Sequence, residues 1–418
     1  MIKRLAAILG IFAVVSICWL ILGSSVDRRT LQQDSTLRQE VGQLWGNSQR
    51  QLAPQVWSHD AIIRSVSMIR GGKTVTEKQT DYVDNYWPLD ASDIKVKLDL
   101  EHRKKGLLWY STYRVNYDSV YRIANETNLP KQILFDFQFP NSESVYDDFH
   151  LLIGGNEVKD VKITNGKIRS TFSLLPGETK EVDIAYKSQG LDEWWYDFGE
   201  KVNQVKNFSL VMDTNFKDID FPQNSISPTA KNEAESGWRL SWKYSNLLTG
   251  VKIGMSMPHK LNPGPWVASV SRFAPISLLL FLFMLLIFSV TSRTNIHPVN
   301  YFFICAAYFS FHLLLAYLVD HLSIHAAFLI SSIVSIFLVV SYMRLVVGNR
   351  FAYLQIGISQ FVFLVLFSYT FFFKGYTGLT VTVLSILTLF IAMQLTARVN
   401  WEQVFTPKPE GDEKLIIE

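Results

Sequence analysis

Hydrophobic and polar positions divide this chain into two regimes. Residues 5–23 form an almost unbroken apolar run behind Lys3 and Arg4, and five further runs occupy 274–290, 299–319, 326–343, 351–373 and 379–396. Each approaches the roughly 20 residues an α-helix needs to cross hydrocarbon. In lipid the backbone must satisfy its own hydrogen bonds, so the runs predict helices. Polar seams at 291–298, 320–325, 344–350 and 374–378 separate the last five. The residues between the first and second runs are compatible with water and numerous enough for one or two domains. Their first part, 25–51, predicts a polar helix that carries the first span out of the membrane.

After Pro54 the pattern changes to a period of two. Ile94, Val96, Leu98 and Leu100 alternate with Lys95, Lys97 and Asp99. Ile133, Phe135, Phe137 and Phe139 alternate with Leu134, Asp136 and Gln138, and Leu240, Trp242 and Tyr244 with Ser241 and Lys243. Such alternation buries one face of a strand and wets the other. Turn signals at Asn165-Gly166 and Pro176-Gly177 punctuate the runs, and several short strands of this kind predict a β-sandwich. The crowded prolines Pro258, Pro263 and Pro265 remove backbone donors, so 257–265 reads as a stiff connector into the second span.

The predicted fold class is therefore a membrane protein of α+β type: an N-terminal transmembrane helix, a β-rich, sandwich-like exported domain, and a C-terminal bundle of five transmembrane helices. The expected domains are an anchor at 1–24, the β-rich domain with its helical entry at 25–272, the bundle at 273–397 and a tail at 398–418. The first run is longer than a typical signal-peptide core, so an uncleaved anchor is expected, with Gly23-Ser24-Ser25 leaving cleavage open.

Charge sets the direction. With the N-terminus inside, the inner segments hold Lys3, Arg4, Arg293, Arg344, Arg350, Arg398, Lys408 and Lys414, while the short outer loops hold only Lys374. The positive-inside rule then places both termini in the cytoplasm and the large domain outside, in the periplasm of a bacterium with two membranes. Net charge is only +3 in 418 residues, which argues against nucleic acid as a partner. Cys18 and Cys305 both lie in apolar runs, so the β-rich domain has no disulfide.

Several stretches carry a resemblance. Ile296-His297-Pro298-Val299-Asn300-Tyr301, Phe311-His312-Leu313 through Asp320-His321, Gly375-Tyr376-Thr377-Gly378-Leu379-Thr380 and Arg398-Val399-Asn400-Trp401 resemble the bundle of the inner-membrane protein CreD family. Arg38-Gln39-Glu40-Val41, Trp45-Gly46, Gln49 and Ala53-Pro54 look like its first exported segment. The middle of the β-rich half departs from the family's pattern, as in Asp220-Phe221-Pro222 and Gly237-Trp238-Arg239, which marks a divergent branch. The resemblance implies a role in cell-envelope integrity or envelope stress response. It implies no enzyme activity, no cofactor and no catalytic residues.

Candidate chemistry is sparse. Ionisable groups near a bilayer are expensive and raise a functional question by default. His321 and His325 are four apart, the spacing of one helix face, and with Asp320 and His312 they could form a His/carboxylate metal site. The competing reading is a polar outer loop, with His312 a mid-span hydrogen-bond partner. His297-Pro298 reads as a helix cap. Serines 331, 332, 335 and 341, with Gln355, Ser359, Gln360 and Ser368, suit close helix contacts and bonds between helices. No span has a charged residue at its centre, which weighs against ion-coupled transport. In the β-rich domain Asp147, Asp148 and His150 read as an acidic loop or an acid/base pair. Trp194-Trp195-Tyr196 reads as core, as an interface anchor or as a stacking surface for a glycan.

The leading expectation is a non-enzymatic envelope protein whose exported domain contacts envelope proteins or glycans, with the lipid bilayer as its other partner. The alternatives are a membrane-embedded metal-dependent enzyme built on Asp320, His321, His325 and His312, or a transporter of lipids or small molecules.

Overall fold

The computed structural model describes residues 2–70, 73–142, 144–199, 205–248, 250–373, 375–397 and 399. The expected tail at 398–418 lies outside them except for Val399, as do Lys374 and most of the Arg398-Val399-Asn400-Trp401 motif. The protein is α+β, with an N-terminal apolar helix, a β-rich part and several C-terminal apolar helices. It forms two compact units, one of Thr36–Lys260 and one of Met1–Ser35 with Leu261–Glu418.

Helix α1 (Ile2–Trp45) is continuous over 44 residues, about 66 Å at 1.5 Å per residue. Its end belongs to the β-rich unit. There Val41 joins Leu108, Tyr110 and Leu191 in a small apolar cluster with Leu37 and Trp45. The Arg103 guanidinium lies 3.5 Å over the Trp45 ring, and Arg38 pairs with Asp192.

In chain order the strands are β1 (Gln49–Leu52), β2 (Gln55–Arg70), β3 (Lys73–Trp87), β4 (Ala91–Lys105), β5 (Leu108–Ala124), β6 (Lys131–Gln138), β7 (Asp147–Ile153), β8 (Asn156–Glu157), β9 (Ile163–Thr164), β10 (Lys167–Leu174), β11 (Thr179–Leu191), β12 (Glu193–Asp197), β13 (Val205–Thr214), β14 (Ala230–Glu233), β15 (Trp238–Leu247) and β16 (Ile253–Ser256). They make an eight-stranded sheet ordered β14-β15-β13-β4-β5-β11-β7-β8, a five-stranded sheet ordered β3-β2-β6-β10-β9 and a small sheet ordered β1-β12-β16.

The larger two share an aromatic core. On β6 the alternating Ile133, Phe135 and Phe137 are fully buried. Phe137 meets Tyr117 on β5 and Tyr186 on β11, each with ring centroids 6.4 Å away. Burial of Tyr117, Tyr121 and Tyr186 demands partners for their hydroxyls. Tyr117 and Tyr121 bond each other at 2.6 Å, and Tyr186 donates to Gln51 Oε1 at 2.7 Å. Loss of water pushes the phenols of Tyr117, Tyr121, Tyr186 and Tyr196 above their usual range, so they stay neutral donors. The turn signals are real: Asn165 (φ 51°) and Gly166 (φ 71°) join β9 to β10, and Gly177 (φ 74°) lies between β10 and β11.

The β2–β3 pair has no counterpart in the sequence pattern. Only Gln55–Ser58 of β2 also pairs with β6; the remaining 12 residues project as a two-stranded ribbon about 40 Å long. Where its side chains are described, both faces of this ribbon are wet, leaving Ile63, Met68 and Tyr82 exposed. His59–Asp84 (2.6 Å), Asn85–Asp60 (2.6 Å) and a His59–Tyr82 stack brace its base.

In the other unit, α2 (Pro263–Thr291), α3 (Pro298–Leu318), α4 (Ile324–Val347), α5 (Phe351–Phe372) and α6 (Thr377–Thr396) follow. Among the described residues six helices, α1 included, are long and apolar enough to cross a membrane by length and composition. The expected connector at 257–265 is corrected at its end. Pro263 and Pro265 open α2, because the first helical turn has no use for the N–H that proline lacks. Much of α5 is π-helical, over Phe351–Gly357 and Phe361–Leu366. This departs from the α-helix that the apolar run predicts. A π turn leaves carbonyls open to outside donors, and Phe363 O is taken by Ser277 and by Tyr308, the latter at 2.9 Å. Gln360 donates to Ser335 at 2.9 Å, and Ser335 donates to Ala307 O at 2.8 Å, so hydroxyls do bond across helices as expected.

Candidate functional site

Three prolines shape a cleft of the β-rich unit. Pro54 separates β1 from β2, Pro88 follows the end of β3, and Pro140 follows β6. Each lacks the donor a ladder needs, so pairing stops and the strand ends splay. The gap between them and the end of β12 is a cleft of about 610 Å³, the size of a small-molecule or oligomer subsite. Tyr86, Trp87 and Phe198 provide flat walls, while Arg50, Gln55 and Gln138 provide polar groups.

Its electrostatic centre is Asp197, whose side chain is only 9% exposed. Arg50 donates to it through Nε at 2.6 Å, Lys252 lies 3.3 Å away, and the Gly199 N–H donates at 3.0 Å. Gly199 can present that N–H because its φ is +89°. Burial pushes the Asp197 carboxyl up, but the Gly199 N–H, Arg50 and Lys252 outweigh it and hold it below the usual carboxylate range. Asp136, also in the lining, forms a two-pronged pair with Arg169, both contacts at 2.7 Å. Both acids are therefore engaged by arginine, and what the cleft presents to a ligand is fixed charge, amide groups and aromatic faces.

The residues singled out in the sequence fall elsewhere. Asp320 pairs with Arg29 at 3.1 Å. His321 lies in the turn after α3 and His325 in the first turn of α4, so the spacing of four does not put them on one helix face. His325 stacks on Phe372 at 4.8 Å. His312 is fully buried between Trp19 and Phe311, with ring centroids 5.3 and 4.8 Å away. Neither of its nitrogens has a hydrogen-bond partner among the described residues, so the expected bond to a neighbouring helix is replaced by aromatic packing. No group of three or more His, Cys, Asp or Glu side chains is gathered to hold a metal ion among the described residues. The cap assigned to His297 is present, its Nδ1 accepting from the Val299 N–H at 3.3 Å.

In the β-rich unit, Asp148 pairs with Lys187 at 2.5 Å on an exposed surface. Trp194 and Tyr196 are core residues, and only Trp195 is half-buried. Sequence reasoning misses the cleft itself. Its one signal is Pro54, Trp87-Pro88 and Pro140 at the ends of apolar stretches.

No curated protein matches this chain. Solved structures give a weak likeness. A candidate nutrient binding protein from Legionella pneumophila aligns at 9% identity and a TM-score of 0.34, over 46% of this chain and 76% of its own. An M1 zinc metallopeptidase from Deinococcus radiodurans aligns at 10% identity and a TM-score of 0.25, over 46% of this chain and 53% of its own. A point mutant of that metallopeptidase aligns at 12% identity and a TM-score of 0.27, over 40% of this chain and 42% of its own, so the match spans about half of the metallopeptidase or less. Residues 267–402 match the model of the CreD family, described as inner membrane protein CreD, and over that segment the resemblance carried by the His297-Pro298 and Phe311-His312 stretches is borne out.

Proposed function

We propose that this chain acts as a CreD-like inner-membrane protein that supports cell-envelope integrity or the envelope stress response, without an enzymatic step of its own. Both termini lie in the cytoplasm and the β-rich unit in the periplasm. The bias of eight cationic residues to one supports that orientation. The spacing of charged ties along α1 supports a helix that crosses the bilayer. Arg4 is held by Ser289 and Tyr301, while Asp27 pairs with Arg272. The 23 residue steps from Arg4 to Asp27 rise about 35 Å, close to the thickness of hydrocarbon.

The observation that carries the function is the Asp197 cleft. Sugar rings have apolar C–H faces and polar rims, and the cleft sets Tyr86, Trp87 and Phe198 beside Arg50 and Gln138. That combination suits a segment of envelope glycan. The test is a deletion strain challenged with β-lactam, detergent and osmotic shock, complemented by wild type or by Trp87→Ala. Deletion is expected to raise sensitivity, and the variant, present at normal level, to restore it only in part. A deletion strain unchanged in every condition would overturn the proposal. In parallel, soluble muropeptides added to the full chain are expected to change its tryptophan emission, with the change lost in Trp87→Ala.

A further inference from the structure

A second cavity, of about 290 Å³, lies in the bundle between the first turns of α1 and the last turns of α2 and α6. Leu5, Phe283, Ile287, Leu389 and Met393 line it, and Phe283 to Val290 gives it a length of about 10 Å along α2. Its one charged lining residue is Arg4. That guanidinium is fixed rather than loose. Its Nη2 donates to Ser289 at 2.8 Å and to Tyr301 at 2.9 Å, its Nη1 reaches Asn295 at 3.3 Å, and it sits 5.5 Å over the Tyr301 ring.

Every one of those partners is neutral. Among the described residues no carboxylate pairs with Arg4, whereas Arg29 and Arg272 at the other end of the bundle each have an aspartate. Arg4 Nε is buried without a partner among the described residues. Arg293, exposed in the turn after α2, adds a second cation at the same end. A positive charge at a membrane interface, beside an apolar groove, is complementary to a phosphodiester with its chain.

We propose that this groove seats one acyl chain of an anionic phospholipid, with the lipid phosphate on the Arg4 guanidinium. A net negative headgroup is favoured over a zwitterionic one because the choline cation of the latter repels Arg4 and Arg293. The inference rests on the bundle lying in a bilayer.

The experiment is native mass spectrometry of the full chain in detergent, titrated with dioleoyl phosphatidylglycerol and with dioleoyl phosphatidylcholine. One phosphatidylglycerol is expected to bind about fivefold more tightly, the factor that one cation at a lipid surface supplies. Arg4→Gln is expected to erase the preference and Arg4→Lys to keep it. Met393→Trp, which fills the groove, is expected to weaken both lipids. Thermal melts confirm that each variant is folded. Equal binding of the two lipids by wild type, an unchanged preference in a folded Arg4→Gln, or displacement of the lipid by millimolar inorganic phosphate would each overturn the proposal. A chain released from membranes by alkaline washing would instead remove the bilayer reading itself.

Discussion

Replacing Phe137 by alanine is expected to lower the stability of the β-rich unit by about 3–5 kcal/mol, the range for deleting a fully buried phenyl ring. Phe137 is 0% exposed and is the meeting point of the two large sheets, touching Tyr117, Phe139 and Tyr186. Those neighbours are themselves fixed: Tyr186 by Gln51, and Tyr117 by Tyr121. They cannot collapse into the hole without breaking buried hydrogen bonds, which places the cost in the upper part of the range. In a unit of this size each kcal/mol shifts the melting point by about 2–4 °C. A fall of about 6–20 °C in the melt of the full chain, followed at the β-sheet circular dichroism band, is the result to look for. A shift under about 3 °C would show that the two sheets do not depend on this contact.

Asp197→Asn is the second large effect. It leaves Arg50 and Lys252 facing a neutral amide and weakens the acceptor of the Gly199 N–H. Removing a charged hydrogen-bonding partner from a nearly buried site costs about 1–3 kcal/mol. Half-exposed Arg50 (52%) keeps the loss toward the lower end, since solvent screens it. The pH dependence separates charge from shape. The folded carboxyl titrates below its unfolded value. Its contribution is therefore complete above the unfolded carboxylate value of about 4 and disappears as pH falls through the lower folded value. Urea midpoints of wild type and Asp197→Asn should differ by a constant amount from about pH 7 to about pH 5 and converge in stronger acid. A gap that persists at the lowest pH would mean that packing, and not charge, is what Asp197 contributes.

The unequal legibility of these sites has a physical cause. The core around Phe137 is visible because alternating burial leaves a period of two in the sequence, and Phe135, Phe137, Leu240 and Trp242 are all buried as that period requires. The β2–β3 ribbon is invisible for the converse reason. Both of its faces are wet, so stretches such as His59-Asp60-Ala61-Ile62-Ile63-Arg64 carry no alternation at all. Trp194-Trp195-Tyr196 offers three readings because an aromatic run suits a core, an interface or a ligand equally well; only the pairing of β12 with β1 and β16 turns Trp194 and Tyr196 inward. In the bundle, a histidine spacing of four reads as a shared helix face. The helix instead ends at Leu318, and the spacing spans a turn.

What the sequence determined by itself is whatever a local pattern can encode: apolar runs long enough for hydrocarbon, strands with one buried face, turns at Asn165-Gly166 and Pro176-Gly177, and the His297 cap ahead of Pro298. These depend on residues a few positions apart, whose free energies act along the chain. The tertiary structure alone decided the Asp197 cleft, the Arg4 groove and the aromatic box around His312. Arg50 and Asp197 are 147 positions apart, and Arg4 and Ser289 are 285 apart. Such pairs meet because burial of the cores between them fixes where the strands and helices end, and no local preference of either residue records the distance to its partner.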